Sequence, residues 1–173
     1  MKTIVLLCGS NEVGKTKTLK KFFGVSFKTR LAPMKLLERT LDGKKIYAVS
    51  LSSPQELAKN FCKVDEVKSR IEKRIRKCEQ RSHGQDYILI IPFGIYEGRG
   101  AHEEQLNERC ILEPIDWLKS LGFRVFSVYL RKKTARLLSL IDLLMKKITS
   151  HVIKSDEDYD RQAKELENFL KTL

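Results

Sequence analysis

The sequence predicts an α/β fold whose mostly parallel sheet has about five to six strands. Apolar runs of strand length, at residues 3–8, 86–91 and 123–130, alternate with longer segments of helical periodicity. An Asp42-Gly43 pair between two further strand-like runs adds a predicted antiparallel hairpin at the sheet edge. The length of 173 residues suits one domain with one core, so residues 1–173 are expected to form a single domain.

The first predicted elements are a buried parallel strand at residues 2–8 and a helix over residues 16–23. The segment that joins them matches the phosphate-binding pattern GxxxxGK(S/T) at every fixed position. Strand, glycine-containing loop and helix follow in the order that the pattern requires. The residues of this segment are Gly9, Ser10, Asn11, Glu12, Val13, Gly14, Lys15 and Thr16.

Each residue type in this segment has a chemical reason. Gly9 and Gly14 allow backbone angles and a close approach that let successive N–H groups surround a phosphate at a helix N-terminus. Lys15 supplies a positive charge to the β- and γ-phosphates, and Thr16 supplies a hydroxyl ligand for Mg²⁺. With Lys17, these residues form the predicted nucleotide-binding segment.

This segment resembles the start of a P-loop NTPase. The resemblance implies a three-layer, doubly wound α/β sheet that holds Mg²⁺ and a nucleoside triphosphate at the carboxyl edge of its strands. A hairpin directly after the P-loop helix, at residues 34–41 and 44–51, is similar to that of Ras-like and translation-factor-related GTPases. Residues 24–33 would then occupy the position of the first switch.

Two motifs of those GTPases are altered. Where they carry D-x-x-G, this chain has no Asp, and Pro54, which lacks an N–H group, replaces the Gly. Where they carry N-K-x-D, the chain continues from Tyr129 through Leu130 to Arg131. Without the guanine-reading Asp, ATP and GTP remain equally expected ligands.

Five residues outside the loop are candidates for the chemistry. Gln55 or Glu56 would orient an attacking water, although the Ser-Pro-Gln-Glu string that contains them also fits a simple helix cap. Glu97 would act as a Mg²⁺-water ligand or general base and Arg99 as a phosphate clamp, unless residues 92–100 form an ordinary surface turn. Arg131 is an alternative clamp.

The helix expected to end near Arg81, with a break near Lys63, combines a narrow apolar stripe with many cations. Its segment from Lys68 to Arg81 would bind nucleic acid or an acidic protein, or would be a solvated crossover helix. Further on, helices are expected at residues 102–121, kinked at Pro114, and at 137–148, the latter buried. An amphipathic C-terminal helix at 156–173 is expected to dock on that apolar helix, with a homodimer interface as the alternative.

Composition excludes several classes. The net charge of +12 suits an anionic ligand, and no apolar run approaches the roughly 18 residues of a membrane helix, so a cytoplasmic location is expected. The four scattered cysteines predict reduced thiols, and the three scattered histidines predict no protein-held transition metal.

Together these features predict a Mg²⁺-dependent protein that binds ATP or GTP and acts as a slow NTPase or a nucleotide-controlled switch. One alternative is a small P-loop kinase that transfers the γ-phosphate to a small molecule or nucleoside. Another is a non-enzymatic module that binds nucleic acid or an acidic partner.

Overall fold

The computed structural model describes residues 2–9, 14–52, 54, 63–94, 101–131, 138–154 and 157–173. Side chains are described in these ranges except at 101–107, 131 and 138–142. The elements in this part of the chain are, in order, β1 (Thr3–Gly9), α1 (Lys15–Phe22), β2 (Leu36–Leu41), β3 (Lys44–Val49), α2 (Val64–Ser82), β4 (Tyr87–Gly94), α3 (Ala101–Ser120), β5 (Arg124–Arg131), α4 (Leu138–Lys147), β6 (Ser150–Lys154) and α5 (Tyr159–Lys171).

A six-stranded sheet in the order β2-β3-β4-β1-β5-β6 forms the centre of the protein. The pair β2 and β3 is antiparallel, and the other neighbours are parallel. The predicted α/β fold, with its mostly parallel sheet and its antiparallel hairpin at one edge, is confirmed. Because β1 lies between β4 and β5, its carboxyl end opens at the middle of the sheet edge where parallel α/β proteins bind ligands.

The side chains of β1 alternate between two hydrophobic clusters, one on each face of the sheet. Ile4 and Leu6 pack on the face that carries α2 and α3, whereas Val5 and Leu7 pack on the face that carries α1 and α5. This alternation follows from the period of two along a strand. Every residue of β1 is buried, so the loop that follows starts from a fixed base.

Helices α1 and α5 form one outer layer together. Leu19 of α1 and Leu166 of α5 are fully buried in the same cluster. Beside them the Thr18 hydroxyl donates a hydrogen bond of 2.7 Å to the Oε1 atom of Gln162. The C-terminal helix therefore docks on the helix that follows the glycine-containing loop.

The partner of the C-terminal helix differs from the expected one. The apolar helix α4 lies on the opposite face of the sheet, where Leu144 is buried beside residues of α2 and α3. Leu143 and Met145 of α4 are 37% and 48% exposed, so that helix is also less buried than expected. An amphipathic stripe identifies a face that needs cover, but it does not identify the element that covers it.

Two strands also differ from their predicted extents. β4 continues through Pro92 to Gly94, where the sequence predicts the start of a loop, because Phe93 is fully buried in the core. The edge strand β6 was not located from the sequence. Of its five residues only Ile153 is buried, so it lacks an apolar run.

Helix α2 begins after Lys63, where the expected break lies, and the buried part of its apolar stripe consists of Val67, Ile71, Ile75 and Cys78. Its cations are less solvated than expected. Arg74 is only 3% exposed and donates from Nη2 to the Ser52 carbonyl at 2.8 Å, while Arg70 donates from Nη1 to the Pro54 carbonyl at 2.6 Å. Lys77 likewise bonds the Met34 carbonyl. These three cations hold neighbouring segments of main chain.

The cysteines only partly follow the expectation. Cys8 and Cys78 are free and buried, as predicted. Cys110 is disulfide-bonded, which corrects the expectation of reduced thiols. Cysteines that are far apart in the sequence can still lie close together in the fold. Within the described ranges, no helix combines the length and the apolar character needed to cross a bilayer.

Candidate functional site

The candidate site begins where β1 ends and α1 starts. Gly9, the last residue of β1, has φ 153°, and Gly14, the residue before α1, has φ 81°. Both angles lie in the region that favours glycine. The Gly14 carbonyl accepts the first helical bond from the Thr18 N–H group at 2.8 Å. Ser10, Asn11, Glu12 and Val13 lie outside the described residues.

Lys15 joins the two ends of this loop. Its Nζ atom donates a hydrogen bond of 2.6 Å to the Gly9 carbonyl oxygen. The side chain is only 4% exposed, so its positive charge is shielded from solvent. A buried ammonium with three N–H groups is suited to an anionic ligand, because a phosphate returns the electrostatic stabilisation that burial removes.

Thr16 lies one residue further along α1 and is exposed. Its Oγ1 atom donates a hydrogen bond of 3.2 Å to the carbonyl oxygen of Leu51, just beyond β3. A hydroxyl group has one proton and two lone pairs. Because the proton is directed at Leu51, the lone pairs of Thr16 remain able to ligate a hard cation such as Mg²⁺.

Tyr159, the first residue of α5, covers the outer side of Gly14. A Cβ atom at position 14 would lie 2.5 Å from Cε1 of this tyrosine, so only glycine fits without a shift. Lys17 places its Nζ atom 5.0 Å from the centre of the same ring. Phe27 contacts the ring edge to face, with centroids 5.8 Å apart. Tyr159, supported by Phe27, thus packs against one side of the start of α1.

Cys8 lies directly beneath the loop but is not a nucleophile at neutral pH. Burial raises the pKa of its thiol from 9.0 to about 12, and the charge of Lys15 lowers that pKa by a smaller amount. The neutral thiol therefore belongs to the apolar floor of the site.

The other predicted site residues lie outside the described part of the chain. These residues are Gln55, Glu56, Glu97 and Arg99. Arg131 ends β5 at the same edge of the sheet, and its side chain is not described. Asp86 precedes β4 and so lies at the opposite end of the sheet. Among the described residues no group of three or more His, Cys, Asp or Glu side chains could hold a metal.

The comparisons with known proteins assign no family. No family model matches the chain, and no curated protein matches its sequence. One similar solved structure is a de novo designed PLOOP2X3 fold protein, at 16% identity and a TM-score of 0.49, with 99% of this chain and 93% of that chain covered. Another de novo designed protein has 15% identity and a TM-score of 0.48, over 99% of this chain and 91% of that chain.

Two neighbours of the loop were not predicted from the sequence. Tyr159 belongs to a predicted C-terminal helix, but no local pattern indicates that this helix begins beside Gly14. The Leu51 carbonyl is a main-chain group, which no sequence motif marks. Strong apolar patterning could predict the strands that carry the site, whereas contacts between distant segments required the fold.

Proposed function

We propose that this chain is a Mg²⁺-dependent nucleoside triphosphate-binding protein that acts as a slow NTPase or a nucleotide-controlled switch. The ligand is ATP or GTP, and its phosphates would lie against the start of α1. No described residue at the end of β5 offers a carboxylate for guanine, since Tyr129 and Leu130 precede Arg131 there.

The observation that supports this proposal most strongly is the position of Lys15. Its buried ammonium group is held at 2.6 Å from the Gly9 carbonyl, at the N-terminus of a helix that follows the central strand. A helix N-terminus favours anions because its first N–H groups lack partners within the helix. Lys15 and these N–H groups would bind the phosphates together.

Thr16 is the residue that would hold Mg²⁺ between the protein and the phosphates. Thr16 is suited to this role because its hydroxyl proton bonds the Leu51 carbonyl, which leaves the lone pairs of the oxygen available for the metal ion. When bound, Mg²⁺ would neutralise the charge that develops on the phosphates. Thr16 and Lys15 orient the triphosphate for attack by water.

Slow turnover follows from the residues beside Thr16. The described residues just after β3 are Ser50, Leu51 and Ser52, and none of them supplies the Mg²⁺-binding carboxylate of the D-x-x-G motif. Positioning and charge stabilisation supply most of the catalysis of phosphoryl transfer. We therefore expect hydrolysis on the order of 10⁻² per second or slower.

Calorimetric titration with Mg²⁺-ATP and Mg²⁺-GTP tests the proposal. Lys15→Ala removes a charge-assisted contact worth about 1.5–3 kcal/mol, so nucleotide affinity should fall roughly 10- to 100-fold. Phosphate release is measured on the same samples. Lys164→Ala is the matched control, because it removes an exposed lysine from α5. Binding that Lys15→Ala leaves unchanged, or no binding of either nucleotide by the wild type, would contradict the proposal.

A small kinase is the second candidate, supported by a cavity beside Thr16 whose described lining includes six Lys or Arg side chains. It requires that a small-molecule acceptor accelerate nucleotide turnover. Binding of nucleic acid or an acidic protein by the segment from Lys68 to Arg81 has less support, because Arg76 pairs with Glu72 and Arg81 with Glu38, which compensates these two charges.

A further inference from the structure

A cavity of about 720 Å³ lies beside the candidate nucleotide site. Thr16 and Lys20 of α1 form one wall, and residues 27–34, between α1 and β2, form another. The residues just after β3 and one side of α2 also line it. A cavity of this size suits a small organic ligand.

The lining of this basic cavity is strongly cationic. Six of its sixteen described lining residues are Lys or Arg, and none of the sixteen is acidic. Cavities lined by charge of one sign concentrate ions of the opposite sign. The six cations are Lys20, Lys28, Arg30, Arg70, Lys73 and Arg74.

Hydrogen bonds fix part of this lining in place. Lys20 donates from Nζ to the carbonyl oxygens of Phe27, at 2.9 Å, and Thr29, at 2.7 Å, which anchors the irregular segment to α1. Both partners are neutral groups, so they leave the charge of Lys20 in place. Arg74 is buried in the opposite wall. Arg70 also lies 3.6 Å from Glu66, which does not line the cavity.

Apolar side chains line the same space. Phe27 is 43% exposed although its ring packs on Tyr159, and Leu31, Met34 and Leu51 also contribute. A ligand that matches both features has a phosphate group and an apolar or planar body. An inorganic ion would leave the apolar surface unused.

We propose that the basic cavity is a second ligand site, which binds a small phosphate monoester next to the nucleoside triphosphate. The cations bind the phosphate group, and Phe27 contacts the organic part. This inference goes beyond the proposed function and does not depend on Lys15. It assigns the irregular segment between α1 and β2 a role in binding.

Calorimetric titration with adenosine 5′-monophosphate and ribose 5-phosphate tests this site. The variant Arg30→Glu/Lys73→Glu reverses two exposed charges of the cavity. The control Lys44→Glu/Arg76→Glu reverses two exposed charges outside it, so the net charge changes equally. We expect the cavity variant to bind the monophosphates about 10-fold more weakly or worse, and the control to bind within about 2-fold of wild type.

Three further arms separate the explanations. Lys15→Ala should retain monophosphate binding, which distinguishes this site from the candidate nucleotide site. Adenosine without phosphate should not bind. An equal loss in both charge-reversed variants, or an absence of monophosphate binding in the wild type, would overturn the inference. Stronger binding of an oligonucleotide without terminal phosphate than of either monophosphate would also overturn it, in favour of nucleic acid.

Discussion

At the scale of single residues, the contact between Gly14 and Tyr159 gives a direct test of the packing at the site. Gly14→Ala should destabilise the protein by about 1–3 kcal/mol, because a left-handed backbone and a contact of 2.5 Å both oppose a Cβ atom. Gly24→Ala is the matched control, since Gly24 has φ +68° with no atom within 4 Å of a Cβ. Urea unfolding measures both variants.

The same pair of residues allows a double-mutant cycle. Tyr159→Ala removes the ring that a Cβ atom would meet, so the loss of stability in the double variant should be smaller than the sum of the two single losses. The backbone cost should remain. Equal losses for Gly14→Ala and Gly24→Ala would show that the tyrosine does not constrain position 14.

The buried thiols provide a second test at this scale. Burial raises the pKa values of both Cys8 and Cys78 to about 12. A thiol whose pKa is raised by folding stabilises the fold at pH values below its unfolded value and loses that contribution as the pH rises through both values. Both cysteines should therefore resist iodoacetamide at pH 8, as measured by peptide mass spectrometry. Labelling that is as fast as in urea would contradict their burial.

At the scale of elements, the hydrogen bond between Thr18 and Gln162 connects α1 to α5. Both residues are fully buried. Thr18→Val keeps the shape but leaves the Oε1 atom of Gln162 without this donor, which should cost about 1–3 kcal/mol in thermal or urea unfolding. Thr172→Val, at an exposed position near the C-terminus, should change stability by about 0.5 kcal/mol or less.

An ionic contact connects the edge hairpin to α2. The Glu38 carboxylate accepts from Lys45 Nζ at 2.9 Å and from Arg81 Nε at 2.8 Å. These bonds, that of Lys45 first, lower the pKa of Glu38 below its ordinary value. The carboxylate therefore stabilises the fold at pH values above its unfolded pKa of about 4.5, and this contribution is lost as the pH falls through the folded pKa.

Glu38→Gln should accordingly lower the free energy of unfolding at pH 7 by about 1 kcal/mol, with the difference from wild type becoming smaller as the pH falls to 3. Glu113→Gln, which removes an exposed helical pair with Arg109, should cost about 0.5 kcal/mol or less. Urea unfolding at both pH values measures the effect. A loss that is equal at pH 7 and pH 3 would exclude the ionic explanation.

The elements also show what a sequence can predict. The strands β1, β4 and β5 were located because they contain continuous apolar runs. The strand β6 was missed because Ile153 alone is buried there. The burial of Arg74 could not be predicted from the pattern of α2, because it involves a hydrogen bond to Ser52, far away in the sequence. Residue composition and hydrophobic periodicity predict where a helix or strand lies, whereas the segments that pack against it are known only from the fold.

At the scale of the whole molecule, α1 connects the candidate site to the C-terminal helix α5. Its first turn carries Lys15 and Thr16, and its inner face packs through Leu19 on Leu166 of α5. Nucleotide that orders the first turn should therefore slow amide hydrogen exchange in α5, measured by mass spectrometry with and without Mg²⁺-ATP. Exchange in α2, on the opposite face, should change less. Unchanged exchange in α5 would mean that the two helices respond independently.

Because α1 belongs to the candidate site and also packs on α5, changes in α5 should alter the affinity of the proposed nucleotide site. Linkage is reciprocal, so a nucleotide that stabilises α5 by a given factor must itself bind more weakly by that factor when α5 is detached. Tyr159, the first residue of α5, contacts the loop directly at Gly14. A fusion, a cleavage or a binding partner at α5 would therefore change the affinity of the proposed nucleotide site.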